Sequence, residues 1–331
     1  MRVFEYTQVT DKDSALSLIQ KNNNAAFVAG GTTLVDLMKL NVESPSLLID
    51  INSLPLDQIE DLPGGGVRIG AMVRNSDAAY DELIKERYPV VSEALLAGAT
   101  PQLRNMATIG GNLLQRTRCY YFRDAAYECN KRQPGSGCYA INSYNRMHAV
   151  LGTSESCIAT HPSDLCVALS ALDAIVTIEG PNGRARKIPI NEFYLVPGET
   201  PWKENVLQRD ELITGVELPP LFFAKRSHYV KVRDRSSFEF ALASVAAAID
   251  IQDNSIKSVR IALGGVATKP WRAREAENNL VGKEPGRKNF RDSADVALRD
   301  AKAREYNEFK IELAKRTIVR ALTELSEPLL A

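Results

Sequence analysis

The sequence has no surplus of charge: 41 Lys and Arg stand against 41 Asp and Glu, a formal net charge of zero. A nucleic-acid binder carries a basic excess, so that class is excluded. The missing repulsion suits a chain that works inside a complex. Long apolar runs are lacking too. None approaches the ~18 residues needed to span a bilayer, so no membrane partner is expected. The N-terminus, MRVFEYTQVTDKDSAL, holds no apolar stretch of signal-peptide length and brings acidic residues early. The expectation is a chain with no export signal of its own. It would reach the periplasm by co-export with a signal-bearing partner, or remain cytoplasmic. Histidine is scarce. His148, His161 and His228 form no metal-ligand spacing, no catalytic triad is legible, and nothing suggests a self-contained hydrolase.

What is present is ordinary globular material: 331 residues, 44% hydrophobic and 25% charged, enough for a sizeable core and two or three domains. Residues 1–60 read as a small α/β unit. A helix is predicted over Asp13–Gln20, a strand over Ala26–Ala29, a helix over Leu34–Leu40 and a strand over Leu47–Ile51. Pro63-Gly64-Gly65-Gly66 marks a boundary. A strand begins at Val67, and helical material over Asp77–Leu96 is interrupted near Pro89. Leu165–Leu172 reads as a compact apolar helix and Ala174–Ile178 as a strand. Pro219-Pro220 is a second boundary. Beyond it come three strands, in Tyr229–Val232, Ala241–Ile251 and Ser258–Leu263, and an amphipathic helix over Phe309–Leu325. Strands followed by helices predict a separate α+β domain.

Two glycine turns and a cysteine group carry the chemistry. Phe27-Val28-Ala29-Gly30-Gly31-Thr32-Thr33-Leu34 runs a strand into a turn whose backbone N–H groups are uncrowded by Cβ atoms and flanked by hydroxyls, a combination that binds pyrophosphate. The bland alternative is a tight strand-to-helix turn. The run does not match G-x-G-x-x-G, so a Rossmann site is unsupported. A second such turn, Thr108-Ile109-Gly110-Gly111-Asn112, would let one long diphosphate cofactor be clasped from two sides.

Cysteine is confined. Cys119, Cys129, Cys138 and Cys157 fall within 39 residues, and only Cys166 lies elsewhere. The spacing C-x9-C-x8-C-x18-C lacks the close pairs typical of zinc sites. Four thiolates are the ligand set of a [4Fe-4S] cluster. Zinc, two disulfides and free thiols in a solvated loop stay open as alternatives. Arg116, Arg118, Arg123, Lys131 and Arg132 lie nearby, and their charge is expected to offset a cluster and lower thiol pKa values. A long loop without apolar periodicity also needs something to organise it. Cys166 sits on the apolar helical pattern and reads as a core cysteine. Asp164, near the start of that helix, is a dipole partner or a hydrogen-bond acceptor for cofactor hydroxyls.

Taken in order, F-V-A-G-G-T-T-L, L-R-N-x-A-T-I-G-G-N and H-P-S-D-L resemble the FAD-binding medium subunits of the xanthine dehydrogenase and carbon monoxide dehydrogenase (molybdenum hydroxylase) family. The resemblance continues through Asp210-Glu211-Leu212-Ile213, Lys231-Val232-Arg233-Asp234-Arg235 and Leu263-Gly264-Gly265-Val266-Ala267, and so covers nearly the whole chain. The cysteine insertion resembles that of the flavin subunits of bacterial periplasmic aldehyde oxidoreductases. Hydroxybenzoyl-CoA reductases, which also carry a cluster insertion, are a rival, and a stand-alone flavin oxidase is another.

The resemblance implies an α+β fold. A two-part FAD-binding domain of the vanillyl-alcohol-oxidase type (residues 1–60 and 61–220, with the iron–sulfur insertion at about 115–158) would precede a small α+β domain with a three-stranded antiparallel sheet (221–331). It implies that Phe27, Val28, Ala29, Gly30, Gly31, Thr32, Thr33 and Leu34 wrap the FAD diphosphate and adenosine side. Leu96, Ala97, Thr108, Gly110, Gly111 and Asn112 would line the second wall. Asp164 would meet the ribityl or phosphate region, and Leu212, Ile213 and Lys231 the flavin end. Cys119, Cys129, Cys138 and Cys157 would hold a [4Fe-4S] cluster. It further implies a large subunit with the molybdenum cofactor and a small subunit with [2Fe-2S] clusters. An aldehyde oxidised to a carboxylic acid on the large subunit would pass its electrons through the FAD here to an external acceptor. No catalytic residue is expected in this chain.

Overall fold

The computed structural model describes residues 1–327. Three sheets organise it. The first is parallel, in the order Glu5–Gln8, Leu47–Asp50, Ala25–Val28. Its middle strand is the apolar run Leu-Leu-Ile, as expected of a strand covered on both faces. The helix Lys12–Lys21 buries Ala15, Leu16 and Ile19 in the same core, and its N-cap Asp11 accepts from Ser14 N–H at 2.8 Å.

The second sheet is antiparallel, in the order Ile59–Asp61, Val67–Gly70, Leu212–Leu218, Ile175–Glu179, Ala185–Pro189. Helices Asn75–Tyr80, Glu82–Arg87 and Pro89–Ala97 pack beside it, with Asp164–Ala171 buried from Leu165 to Ala171. Pro89 stands at the first position of its helix, where the missing N–H costs nothing, so the interruption is a helix start.

The third sheet runs Trp271–Arg272, Ser255–Gly264, Ala243–Gln252, Ser227–Val232, all antiparallel. The three anticipated strands are the long ones. A fourth, of two residues, widens the three-stranded sheet that was expected; a piece that short leaves no alternation to read. Helices Arg274–Leu280, Arg287–Ala297 and Phe309–Ser326 contribute buried faces to its core. The fold is the anticipated α+β arrangement. Among the described residues no helix is long and apolar enough to cross a membrane.

Candidate cofactor site

The first glycine turn leaves the strand Ala25–Val28 and enters the helix Leu34–Lys39. Gly31 has φ +71°, in the left-handed region where a side chain is strained. Gly30 is needed for another reason: a Cβ there would stand 1.8 Å from the Met106 carbonyl oxygen. The two glycine turns therefore touch. Arg74 ties them further, donating from one guanidinium nitrogen to Met106 O at 2.6 Å and from another to Asn52 Oδ1 at 3.1 Å, while Asn52 Nδ2 donates to Ala29 O at 3.0 Å. Among the described residues, the N–H groups of Gly30, Gly31, Thr32 and Thr33 reach no backbone carbonyl. Four adjacent free donors suit a diphosphate.

In the second turn Thr108 caps the short helix Ile109–Leu113, its hydroxyl accepting from Gly111 N–H at 3.2 Å. Gly110 N–H donates to Ala71 O at 2.8 Å, and a Cβ on Gly110 would press on Ala71 at 3.1 Å. These donors are spent inside the protein. The second turn thus supplies a smooth wall rather than N–H groups. A Cβ on Gly111 would meet only Thr108 Oγ1 within 4 Å, so this glycine keeps the wall open.

A cavity of about 250 Å³ lies between the turns, lined by Phe27, Ala29 to Leu34, Thr108, Gly110, Gly111, Leu212 and Ile213 among others. A second, of about 610 Å³, is lined by Thr32, Thr33, Gly111, Asn112, Asp164 and Lys231 among others. Thr32, Thr33 and Gly111 belong to both, so the two limbs of the cleft meet at the glycine turns. Val28 alone of the run 27–34 faces away, buried with Met38 and Leu48. Leu212, Ile213 and Lys231, expected together at one end, are separated: the first two line one limb and Lys231 the other. The strand Leu212–Leu218 and the strand Ser227–Val232 belong to different sheets, which sequence proximity hides. Leu96 and Ala97 line neither limb. The neighbouring Gly98 does, and the Ala97 carbonyl accepts from Lys231 Nζ at 3.1 Å and from Arg233 at 2.8 Å.

Asp164 opens its helix behind the cap Ser163, whose hydroxyl accepts from Cys166 N–H at 3.0 Å. Its carboxylate accepts from Tyr229 OH at 2.6 Å and Lys231 Nζ at 2.7 Å. Both partners of the ion pair are buried, with side chains 5% and 10% exposed. Burial, with Asp164 beside it, pushes the Tyr229 hydroxyl well above its ordinary range, so it stays a neutral donor. Tyr229 was not picked out from sequence; it looks there like any strand aromatic.

Beyond Asp164 a third cavity, of about 480 Å³, reaches the cysteine insertion. Asp164, Pro162, Arg118 and Phe240 line it and the 610 Å³ limb alike, and Cys119 and His148 line its far side. The insertion is held by a one-turn helix, Tyr120–Arg123, by the packed rings of Tyr121, Tyr127 and Tyr139, and by Arg132, which donates to the Tyr121 and Phe122 carbonyls at 2.8 and 2.7 Å.

All five cysteines are free thiols. Cys129 and Cys138 face each other across an antiparallel bridge. Burial pushes Cys119 up to about 12, with Cys157 and Cys129 near enough to add to the rise. Cys157 goes up to about 11, again by burial, with Cys138 and Cys129 adding. The Cys138 thiol is raised by burial, with Cys129 beside it. Each of the four is thus near at least one other of the group. Cys166 is elsewhere, in the core against Tyr194 OH at 3.0 Å.

The basic residues do not lower these thiols as anticipated. Arg118 and Arg123 bind Asp36, Arg116 binds Glu43 and Glu204, and Lys131 pulls on Cys157. Burial wins, and the thiolates need another source of positive charge. One backbone N–H is bonded to sulfur, that of Ala159 to Cys157 Sγ at 3.5 Å. Among the described residues no three His, Cys, Asp or Glu side chains are grouped so as to hold a metal ion.

Two family descriptions match the chain: the FAD binding domain in molybdopterin dehydrogenase over residues 2–221, and the CO dehydrogenase flavoprotein C-terminal domain over residues 228–325. The chain is 49% identical to the aldehyde oxidoreductase FAD-binding subunit of Escherichia coli, over 98% of each chain. It is 28% identical to the carbon monoxide dehydrogenase medium chain of Hydrogenophaga pseudoflava, over 96% of each. A solved structure of the carbon monoxide dehydrogenase from that organism superimposes with a TM-score of 0.75 at 27% identity, covering 97% of this chain and 96% of the other.

Proposed function

The chain belongs to the FAD-binding subunits of the molybdenum hydroxylase family, and on that premise we propose that it is the FAD- and [4Fe-4S]-bearing electron-transfer subunit of a molybdenum-dependent aldehyde oxidoreductase. The observation that carries the proposal is the gathering of four buried or half-buried free thiols in one insertion, with Cys119 lining the cavity that meets the FAD cleft. A relative named as an aldehyde oxidoreductase subunit, matched at 49% over nearly its whole length, supports the aldehyde assignment.

FAD, when bound, supplies the redox chemistry; the chain binds and orients it. The free N–H groups of Gly30 to Thr33 receive the diphosphate, and Gly111 gives it room. Leu212 and Ile213 offer an apolar wall to one end of the cofactor. Asp164, fixed by Tyr229 and Lys231, offers polar contacts to the other. Cys119, Cys129, Cys138 and Cys157 would hold the cluster, whose iron would bring the thiols to the thiolate form that burial alone opposes. The division into residues 1–60, 61–220 and 221–331 belongs to the same proposal, and the break between the two family matches supports its boundary near residue 220.

A large subunit carrying the molybdenum cofactor would oxidise the aldehyde, and a small subunit with [2Fe-2S] clusters would relay electrons to this chain. An external acceptor would then take them from the FAD. The test is reconstitution. Alone, the loaded chain should pass electrons from an artificial reductant to a dye and oxidise no aldehyde, and adding both partners should restore aldehyde oxidation. Aldehyde turnover by the isolated chain without molybdenum would overturn the proposal in favour of a stand-alone flavin oxidase.

A further inference from the structure

His148 lies outside every role assigned above, yet it is 2% exposed and sits against a cysteine of the insertion. Its Nε2 is 3.1 Å from Cys119 Sγ. Its Nδ1 is buried and has no hydrogen-bond partner among the described residues. We propose that His148 donates a hydrogen bond from Nε2 to Cys119 Sγ of the cluster and so sets the cluster's reduction potential. The inference rests on the [4Fe-4S] reading above.

The direction of the bond follows from the chemistry of the pair. A cysteine bound to iron has lost its proton and only accepts. A neutral imidazole carries one N–H, and with Nε2 facing sulfur that N–H belongs on Nε2. Among the described residues the imidazole is the hydrogen-bond partner of this sulfur. The bond comes from a side chain, and so can be removed without changing the backbone.

The position of the ring is fixed from the far domain. Lys310, fully buried, donates to the carbonyls of Met147 at 3.1 Å, His148 at 3.1 Å and Gly265 at 2.5 Å, three acceptors for the three protons of an ammonium. Asn307 Nδ2 donates to the Ala149 carbonyl at 3.2 Å, and His148 N–H donates to Asn145 O at 2.9 Å. The Tyr121 ring stacks on the imidazole at 6.1 Å. A group held this firmly against a ligand sulfur suits tuning: hydrogen bonds to sulfur stabilise the more negative, reduced cluster and raise its potential. His148 also lines the cavity that runs to Asp164, so the tuned cluster faces the flavin cleft.

The experiment is an EPR-monitored redox titration of the purified complex, with iron and FAD counted, for wild type, His148→Leu and His148→Gln. Leucine removes the donor, while glutamine offers an amide N–H near the place of Nε2. The expected result is full iron and FAD in both variants, a more negative midpoint in His148→Leu, and a midpoint near wild type in His148→Gln. An unchanged midpoint in His148→Leu would overturn the inference, as would loss of iron from both variants, which would mark His148 as a ligand or a scaffold instead. Iron-free wild-type protein would overturn the cluster reading, and this inference with it.

Discussion

Valine at Gly111 and valine at Gly31 should both empty the flavin site, but only one should damage the fold. At Gly111 the added carbon meets Thr108 Oγ1 at 3.0 Å and nothing else within 4 Å. The cost to the apo protein is at most the cap bond from Thr108 to Gly111 N–H, about 1 kcal/mol, partly offset by a few tenths from replacing glycine in a helix. At Gly31 the φ of +71° forces a branched residue into the left-handed region, about 1–2 kcal/mol, and the Cβ would stand 3.1 Å from Val35 Cγ2. The apo proteins should therefore melt differently, Gly111→Val close to wild type and Gly31→Val clearly lower. Flavin binding should suffer in both. Crowding a packed site costs roughly 1–3 kcal/mol, which is about 5- to 140-fold in Kd at 1.4 kcal/mol per decade. The assay is flavin absorbance per chain after purification, FAD titration of stripped protein, and thermal melts of the flavin-free form. Wild-type FAD affinity in Gly111→Val would falsify the claim that the cofactor passes over this wall. Equal apo stability in the two variants would refute the account of Gly31.

Serine at Cys119, Cys129, Cys138 or Cys157 should sharply reduce iron content, whereas Cys166→Ala should leave it intact; equal iron in all five variants would end the ligand assignment. Lys231→Met should destabilise the chain by about 3–5 kcal/mol in denaturant melts, because it strands a buried carboxylate. Adding Asp164→Asn should recover part of that loss, and simple additivity of the two changes would contradict the coupling. His228 lies between Glu93 at 2.8 Å and Glu324 at 3.1 Å, and the Glu93 hydrogen bond first, then charge, raises its pKa. A raised pKa stabilises the fold fully below the unfolded value of about 6.5 and loses that stabilisation as pH rises through the folded value. The stability gap between wild type and His228→Gln should therefore shrink from pH 6 to pH 9 (about that range), and a gap that widens would refute the ion-pair account.

Much of the framework was legible because local pattern and tertiary role agree. The apolar run Leu47–Ile51 is the middle strand of the parallel sheet, and the buried helix Asp164–Ala171 announces itself by apolar residues all round. Strands without alternation stayed hidden. Leu212–Leu218 is covered on both faces and interrupted by Thr214 and Gly215, so no period of two survives, although it is the centre of the five-stranded sheet. Glu5–Gln8 and Ala185–Pro189 are exposed edge strands whose polar residues resemble loops.

In the site, the glycine turns could be read as diphosphate ground from composition, but their division of labour could not. Gly31 is explained by φ, Gly30 by the Met106 carbonyl, and Gly110 by Ala71, and only the first is a property of the turn itself. Tyr229, Arg74 and Lys310 act across 65 residues to Asp164, 32 to Met106 and 162 to His148, separations over which a single sequence gives no signal. The apolar helical pattern around Cys166 placed it in the core, where it packs against Tyr194, because that pattern is local.

The central claim is that one chain carries both a flavin and a four-iron cluster, and counting iron against FAD in anaerobically purified protein tests it most directly. The account predicts about four irons for each FAD, with a reduced-state EPR signal that disappears with the serine variants. A chain with full FAD and no iron would contradict it.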